Sequence, residues 1–256
     1  MFKLITIVFI VINFNLSAQP QQYTVANAHS HNDYEKEFPF WNAYSNGFGS
    51  MEADIFLLNN ELFVAHDTIQ LKLLRTLDSL YLLPLQHCIN KNKGFVYSDN
   101  KRQLQLLIDI KTEAGSTLKK LVEKLKSYPT IINNRSVKIV ITGNRPEPSQ
   151  FSSYPAYILF DGELNKDYSG NTLKRIVMMS DNLKRYSLWN GDGMLPEQDR
   201  KKISDAINKS HKLNKKVRFW NAPDNINSWS QLINLGVDLI NTDKISGLAM
   251  FLNKLP

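Results

Sequence analysis

Glu52 and Asp54 stand two residues apart in the apolar run "SMEADIFLL" at 50–58. A strand turns alternate side chains to the same side, so both carboxylates share one face. Asp109 and Lys111 repeat the spacing in "LQLLIDIK" at 104–111, with Ile108 and Ile110 turned the other way. Carboxylates sharing an interior repel unless a cation or a basic side chain offsets them. Glu52, Asp54 and Asp109 can converge from separate strand ends, giving an oxygen donor set suited to a hard divalent cation, Mg2+ or Ca2+. Without a cation, the same groups would form a buried ion-pair network around Lys111. Three acids against one lysine leave negative charge over, which favours the cation.

His31 follows a strand-like run at 23–29, and His66 follows the returning segment "LFVAHD". At the rim of one cavity the pair could exchange protons with a bound ligand, one accepting and the other donating. His29 competes with His31 but would lie deeper on the same face, as a structural or supporting residue. His87 and His211 sit in helical contexts and read as structural or exposed. In "TGNRP", Arg145 follows a strand and could hold an anionic group, or else is an exposed loop arginine, with Asn144 beside it. Trp220 ends the run "KVRFW", where an indole could wall a pocket or simply pack in the core. Asn241 and Asp243 end the last strand; Asp243 is expected to cap the following helix.

These residues need a frame of alternating strands and helices. Strands are expected at 23–29, 50–58, 104–111, 137–143, 156–161, 216–221 and 237–243. Helices are expected at 40–48, 70–92 (bent by Pro84), 115–127, 225–235 and 245–254. The region 160–215 is the least legible. Repeated strand-then-helix units imply parallel strands joined by crossovers. About eight of them in this length suit a closed TIM (β/α)8 barrel, α/β in class, better than an open sheet. A single domain over 19–256 is expected.

The chain has 256 residues, 43% hydrophobic and 21% charged, enough for one large core. Its formal charge of +7 comes from scattered lysines and arginines. No zinc-finger spacing, RNA-binding signature or basic-aromatic stripe accompanies it, so nucleic acid is not an expected partner. Residues 1–18 show Lys3, an apolar run and a small-residue exit at Ser17-Ala18, which reads as a cleaved signal peptide. Export to a periplasm or to the exterior is therefore expected, with no membrane span in the mature form. The lone Cys88 reads as buried packing. Nothing in the pattern sets the oligomeric state, and a monomer is the default.

The pieces "HSHNDY", "GSMEADIFLLNNELFVAHD", "LLIDIK" and "NLGVDLINTDK", taken in order, resemble the glycerophosphodiester phosphodiesterase and phosphatidylinositol-specific phospholipase C-like superfamily over nearly the whole mature chain. "RTLDSLYLLPL", "ITGNRP", "FDGEL" and "RFWNAPD" are closer still to a branch described as phosphatidylinositol phospholipase C/glycerophosphodiesterase-like. The resemblance implies a TIM-barrel phosphodiesterase with a divalent cation and a histidine pair. The superfamily's two catalytic histidines fall on His31 and His66. Its metal-binding acids fall on Glu52, Asp54 and Asp109, and its lysine falls on Lys111. Its late tryptophan matches Trp220. Two departures stand out: Asn32 replaces an arginine that would grip phosphate, and Asp109 replaces a longer glutamate. Lys111, Arg145 or the metal would then supply the missing positive charge.

The implied reaction is metal-dependent hydrolysis of a glycerophosphodiester or phospholipid-type substrate. His31 and His66 would act as acid and base, and Lys111 would stabilise the charge that builds on phosphorus. The substrate would be a small phosphodiester or a phospholipid headgroup, with Asn32, Arg145 and Trp220 as its contacts. One alternative is a phosphatidylinositol- or sphingolipid-type lyase releasing a cyclic phosphate. Another is a secreted, non-catalytic protein that binds phosphate or lipid headgroups.

Overall fold

Among the described residues nine strands carry the frame: β1 (Ala28–Ser30), β2 (Ser50–Leu58), β3 (Glu61–Val64), β4 (Leu104–Ile110), β5 (Val137–Gly143), β6 (Ile158–Glu163), β7 (Ile176–Asn182), β8 (Lys216–Trp220) and β9 (Ile240–Thr242). The computed structural model describes residues 20 and 22–255, so the expected signal segment at 1–18 lies outside the described residues. Eight strands pair in parallel in the order β8-β7-β6-β5-β4-β2-β1-β9. One parallel bridge, Arg218 to Leu239, brings the β8 edge up to the start of β9. The sheet is thus a nearly closed, TIM-like α/β barrel with helices around it. β3 stands off this path, folding back antiparallel onto β2. Asn59 and Asn60 make that turn with φ of 48° and 61°, the left-handed pair that a tight hairpin requires.

Alternation fixes what faces the interior. On β4 the inward series is Gln105, Leu107 and Asp109, and on β5 it is Lys138, Val140 and Thr142. Leu107, Val140, Met178 and Leu239 form a buried apolar layer across the middle. The larger core, with Met51, Ile55, Ile108, Ile110 and Ile141 among its members, lies between the outer face of the sheet and the helices. The helix Ala114–Leu125 buries Leu118, Leu121 and Leu125 on one stripe, at the spacing the sequence shows.

Three expectations shift. The first strand is confined to Ala28–Ser30 because Thr24 caps a 3-10 turn over Val25–Asn27, its side chain accepting from the Ala26 amide. Residues 71–76 are not helical: the Val64 amide donates to the Arg75 carbonyl, and Thr76 bridges to Phe63. Helical structure then starts with a π-turn at Asp78–Leu82, which feeds the helix Leu83–Lys91 and accommodates Pro84 near its first turn. In the poorly legible region, β7 and the helix Glu197–Lys212 supply the missing barrel unit.

Candidate active site

Parallel strands deliver their inward side chains to one mouth, and there a cavity of about 370 Å³ opens. His31, Asn32, Glu52, Asp54, His66, Asp109, Lys111, Arg145 and Trp220 all line it. All nine residues singled out from the sequence therefore meet at the C-terminal ends of the strands.

The three acids come from adjacent strands, since Asp54 on β2 pairs in register with Asp109 on β4. One carboxylate oxygen from each of Glu52, Asp54 and Asp109 lies within 4.8 Å of the others. Glu52 is engaged through one oxygen: Arg218 Nη1 donates to its Oε2 at 2.7 Å, and His29 Nε2 lies 2.9 Å from the same oxygen. Burial alone would raise the Glu52 pKa, but the Arg218 charge and the His29 hydrogen bond hold it well below the usual carboxylate range. Asp54 behaves oppositely. Burial, then the charges of Glu52 and Asp109, push it up to about 7 despite Lys111. Asp109 also rises, through burial and the Glu52 charge.

Lys111 Nζ lies 2.9 Å from Asp54 Oδ2 and 3.0 Å from Asp109 Oδ2. The other oxygens, Asp54 Oδ1 and Asp109 Oδ1, are buried without a hydrogen-bond partner. A buried carboxylate oxygen left unpaired is costly, and two of them on in-register residues of adjacent strands favour a bound cation. Glu52, Asp54 and Asp109 could thus hold a divalent cation.

The histidines are held differently. His31 follows β1, its amide donating to the Thr242 carbonyl, and its Nδ1 lies 3.3 Å from Asp243 Oδ2. Burial pushes the His31 imidazole down, but the bond to Asp243 and the Glu52 charge outweigh it, and its pKa is raised. His66 follows β3; its side chain is 54% exposed, and Nδ1 lies 3.1 Å from the Tyr34 hydroxyl. That hydroxyl also lies 2.8 Å from Asp54 Oδ2, so it can donate to the acid and accept from the histidine. His29 is buried between Ser50 and Glu52, and burial followed by the Arg218 charge lowers its pKa to about 4. It supports Glu52 from below and does not reach the cavity lining. His211 binds Asp238 on a helix, at 2.8 Å.

The opposite wall comes from β5 to β8. Arg145 Nη2 donates to Glu163 Oε1 at 3.0 Å, and Arg185 Nη1 to Asp181 Oδ1 at 3.0 Å. Trp220 is 38% exposed at the rim, so it walls the cavity and is not core packing. Asn144 donates from Nδ2 to the Lys111 and Thr112 carbonyls at 3.2 Å each, fastening the two loops together.

Sequence reasoning missed Arg218 and Tyr34. Arg218, 3% exposed, supplies the interior cation opposite Glu52. Its signal was an arginine between Val217 and Phe219, in step with Trp220 on an apolar strand. Tyr34 links Asp54 to His66, and nothing in local spacing marks it. The expected helix cap at Asp243 is corrected: Asp243 pairs with His31 and Lys36, and the helix Ile245–Leu252 has no side-chain cap.

The model of the AIM6-like phosphodiesterase domain matches residues 20–150, and that of the Glycerophosphoryl diester phosphodiesterase family matches residues 216–245. The chain is similar to Altered inheritance of mitochondria protein 6 of Eremothecium gossypii, 28% identical over 89% of this chain and 69% of that protein. It is also similar to the homolog from Arthroderma benhamiae, 29% identical over 85% of this chain and 81% of that protein. In fold it resembles the crystal structure of a glycerophosphodiester phosphodiesterase from Parabacteroides distasonis, with TM-score 0.56 and 16% identity, covering 89% of this chain and 96% of the other. These relatives overturn the expected export. They carry a name that refers to the inheritance of mitochondria. No helix among the described residues is long and apolar enough to cross a membrane.

Proposed function

The chain belongs to the AIM6-like phosphodiesterase family, within the glycerophosphodiester phosphodiesterase and phospholipase C-like superfamily, and from that premise we propose a metal-dependent phosphoric diester hydrolase with paired-histidine catalysis. The observation that carries the metal is the pair of orphaned oxygens, Asp54 Oδ1 and Asp109 Oδ1, beside Glu52. Mg2+ or Ca2+ bound by these three acids would polarise a phosphoryl oxygen.

The remaining steps fall to the chain's own groups. One of His31 and His66 takes the proton of the attacking hydroxyl, and the other returns a proton to the leaving alkoxide. His31, kept protonated more readily by Asp243, suits the donating role. Lys111 holds a fixed positive charge beside the reacting phosphoryl group, and its pKa is raised by Asp109 and Asp54 against the effect of burial. Arg145 and Trp220 receive the rest of a glycerophosphodiester or phospholipid-type substrate, and Asn32 borders the phosphate where the superfamily carries arginine. Where the substrate alcohol has a neighbouring hydroxyl, that hydroxyl can attack first and give a cyclic phosphate.

The test is hydrolysis of bis(p-nitrophenyl) phosphate by purified protein with Mg2+ or Ca2+, then product identification on glycerophosphodiesters, phosphatidylinositol and lysophospholipids. Turnover that stops with chelator and returns with metal is expected. Turnover indifferent to chelator, or none with any metal, would overturn the reading. His31→Ala and His66→Ala should each lower turnover by about 10² to 10⁴.

A further inference from the structure

The N-terminal mouth of the barrel, opposite the catalytic cavity, holds a second pocket of about 220 Å³. Lys101, Arg102, Lys138 and Lys216 line it, with Gln103 and Gln105 and no carboxylate. Lys138 is the second residue of β5 and Lys216 the first of β8, each in step with the inward-facing series of its strand. None of the four cations has an ion-pair partner among the described residues. The contrast with other lysines is sharp: Lys124 reaches Glu61 and Asp78, and Lys215, beside the pocket, donates to the Ile176 carbonyl. Burial, and then the charge of Lys216, pushes the Lys138 ammonium below its ordinary range. Four like charges gathered around one concavity destabilise the fold unless something negative enters.

We propose that this mouth is a binding site for a phosphate-type oxyanion, free phosphate or a small phosphomonoester, separate from the catalytic cavity. A phosphate dianion presents acceptor oxygens in several directions, so cations arriving from β5, β8 and the loop before β4 can each find one. A single carboxylate would engage one side and leave the others repelling. The pocket is too small for a bulky ligand but ample for this one. The apolar layer of Leu107, Val140, Met178 and Leu239 lies between it and the carboxylates above, so the two sites do not share a ligand.

The experiment is calorimetric titration of chelator-treated protein with inorganic phosphate and with methyl phosphate. Chelator keeps metal out of the upper cavity, and because Lys111 and Arg145 there remain cationic, the comparison with variants of the lower mouth assigns the bound anion. The expected result is binding of one equivalent, weakened at least about tenfold in Lys138→Gln/Lys216→Gln. That double variant should keep wild-type diesterase turnover and melt no lower than wild type in phosphate-free buffer, because a repulsion has been removed. Lys101→Gln, on the exposed loop, should weaken phosphate as well and serves if the double variant fails to fold. No phosphate binding to wild type, binding unchanged in both variants, or binding to anionic vesicles but not to free phosphate or methyl phosphate would overturn the proposal.

Discussion

Arg218 on β8 reaches across the barrel interior to Glu52 on β2, its Nη1 2.7 Å from Oε2. Both side chains are buried. The pair keeps Glu52 ionised while Asp54, two residues along the same strand face, is pushed up to about 7 by burial and by Glu52 itself. Two carboxylates on one strand thus carry different proton affinities because only one of them has a guanidinium. Removing one partner of a buried pair leaves the other charge uncompensated. Arg218→Met should therefore destabilise the protein by about 3 to 5 kcal/mol. Urea unfolding followed by circular dichroism measures this, and a loss near zero would mean that Glu52 is neutral in the fold.

Tyr34 joins an acid to a histidine, with its hydroxyl 2.8 Å from Asp54 Oδ2 and 3.1 Å from His66 Nδ1. His66 is largely exposed, and this hydrogen bond holds its ring beside Asp54. Tyr34→Phe keeps the packing and removes the contact. Turnover of bis(p-nitrophenyl) phosphate should fall by about 10- to 100-fold, with little change in the unfolding midpoint. A wild-type rate would show that His66 needs no such support.

Gly143 ends β5 with φ of 70°, and a Cβ there would collide with Asp109 Oδ1 and the Ile110 carbonyl. The same glycine therefore serves the turn and leaves space for the acid. Gly143→Ala should destabilise by more than about 1 kcal/mol and displace the Asp109 carboxylate. Calorimetric Mg2+ or Ca2+ titration should show weakened binding; full affinity would mean that Asp109 is not a ligand.

His31 and Asp243 shift each other in opposite senses. The histidine is raised, and Asp243 is lowered against burial by its bonds to His31 and Lys36. A raised histidine contributes stability that is fully present below its unfolded pKa and lost as pH rises through its folded pKa. A lowered aspartate contributes stability present above its unfolded pKa and lost as pH falls through its folded pKa. The stability difference between wild type and Asp243→Asn should accordingly peak in mildly acid solution and fade on both sides. The contact is partly exposed, so the difference should be small. Imidazole NMR titration should show the His31 pKa falling in Asp243→Asn, and an unchanged titration would sever the link.

Why was so much of the upper cavity legible? Glu52, Asp54, Asp109 and Lys111 interrupt otherwise apolar strands, where period two makes the face of every charge readable. Asp243 and Tyr34 were not, because their partners lie far along the chain: His31 is 212 residues from Asp243, and Asp54 is 20 from Tyr34. The helix expected from residue 70 failed for a related reason. Leu71, Leu73 and Leu74 have helical spacing, yet Leu73 and Leu74 are exposed and the segment around Arg75 and Thr76 pairs with β3 instead. Tertiary pairing at a sheet edge overrode local periodicity there. β7 was hidden because "IVMMSDN" joins an apolar start to a polar end, whose Ser180 faces Asp161 on β6, a partner that only the folded barrel supplies.

The layer of Leu107, Val140, Met178 and Leu239 makes the barrel modular along its axis. Substitutions above the layer and below it that leave the hydrogen-bonded chain Gln105–Ser50–His29–Glu52 intact share no partner, so their free-energy changes should sum without a coupling contribution. A stabilised scaffold could then be built from the lower mouth upward, and the upper residues exchanged afterwards to accept new diesters, with neither round of changes undoing the other.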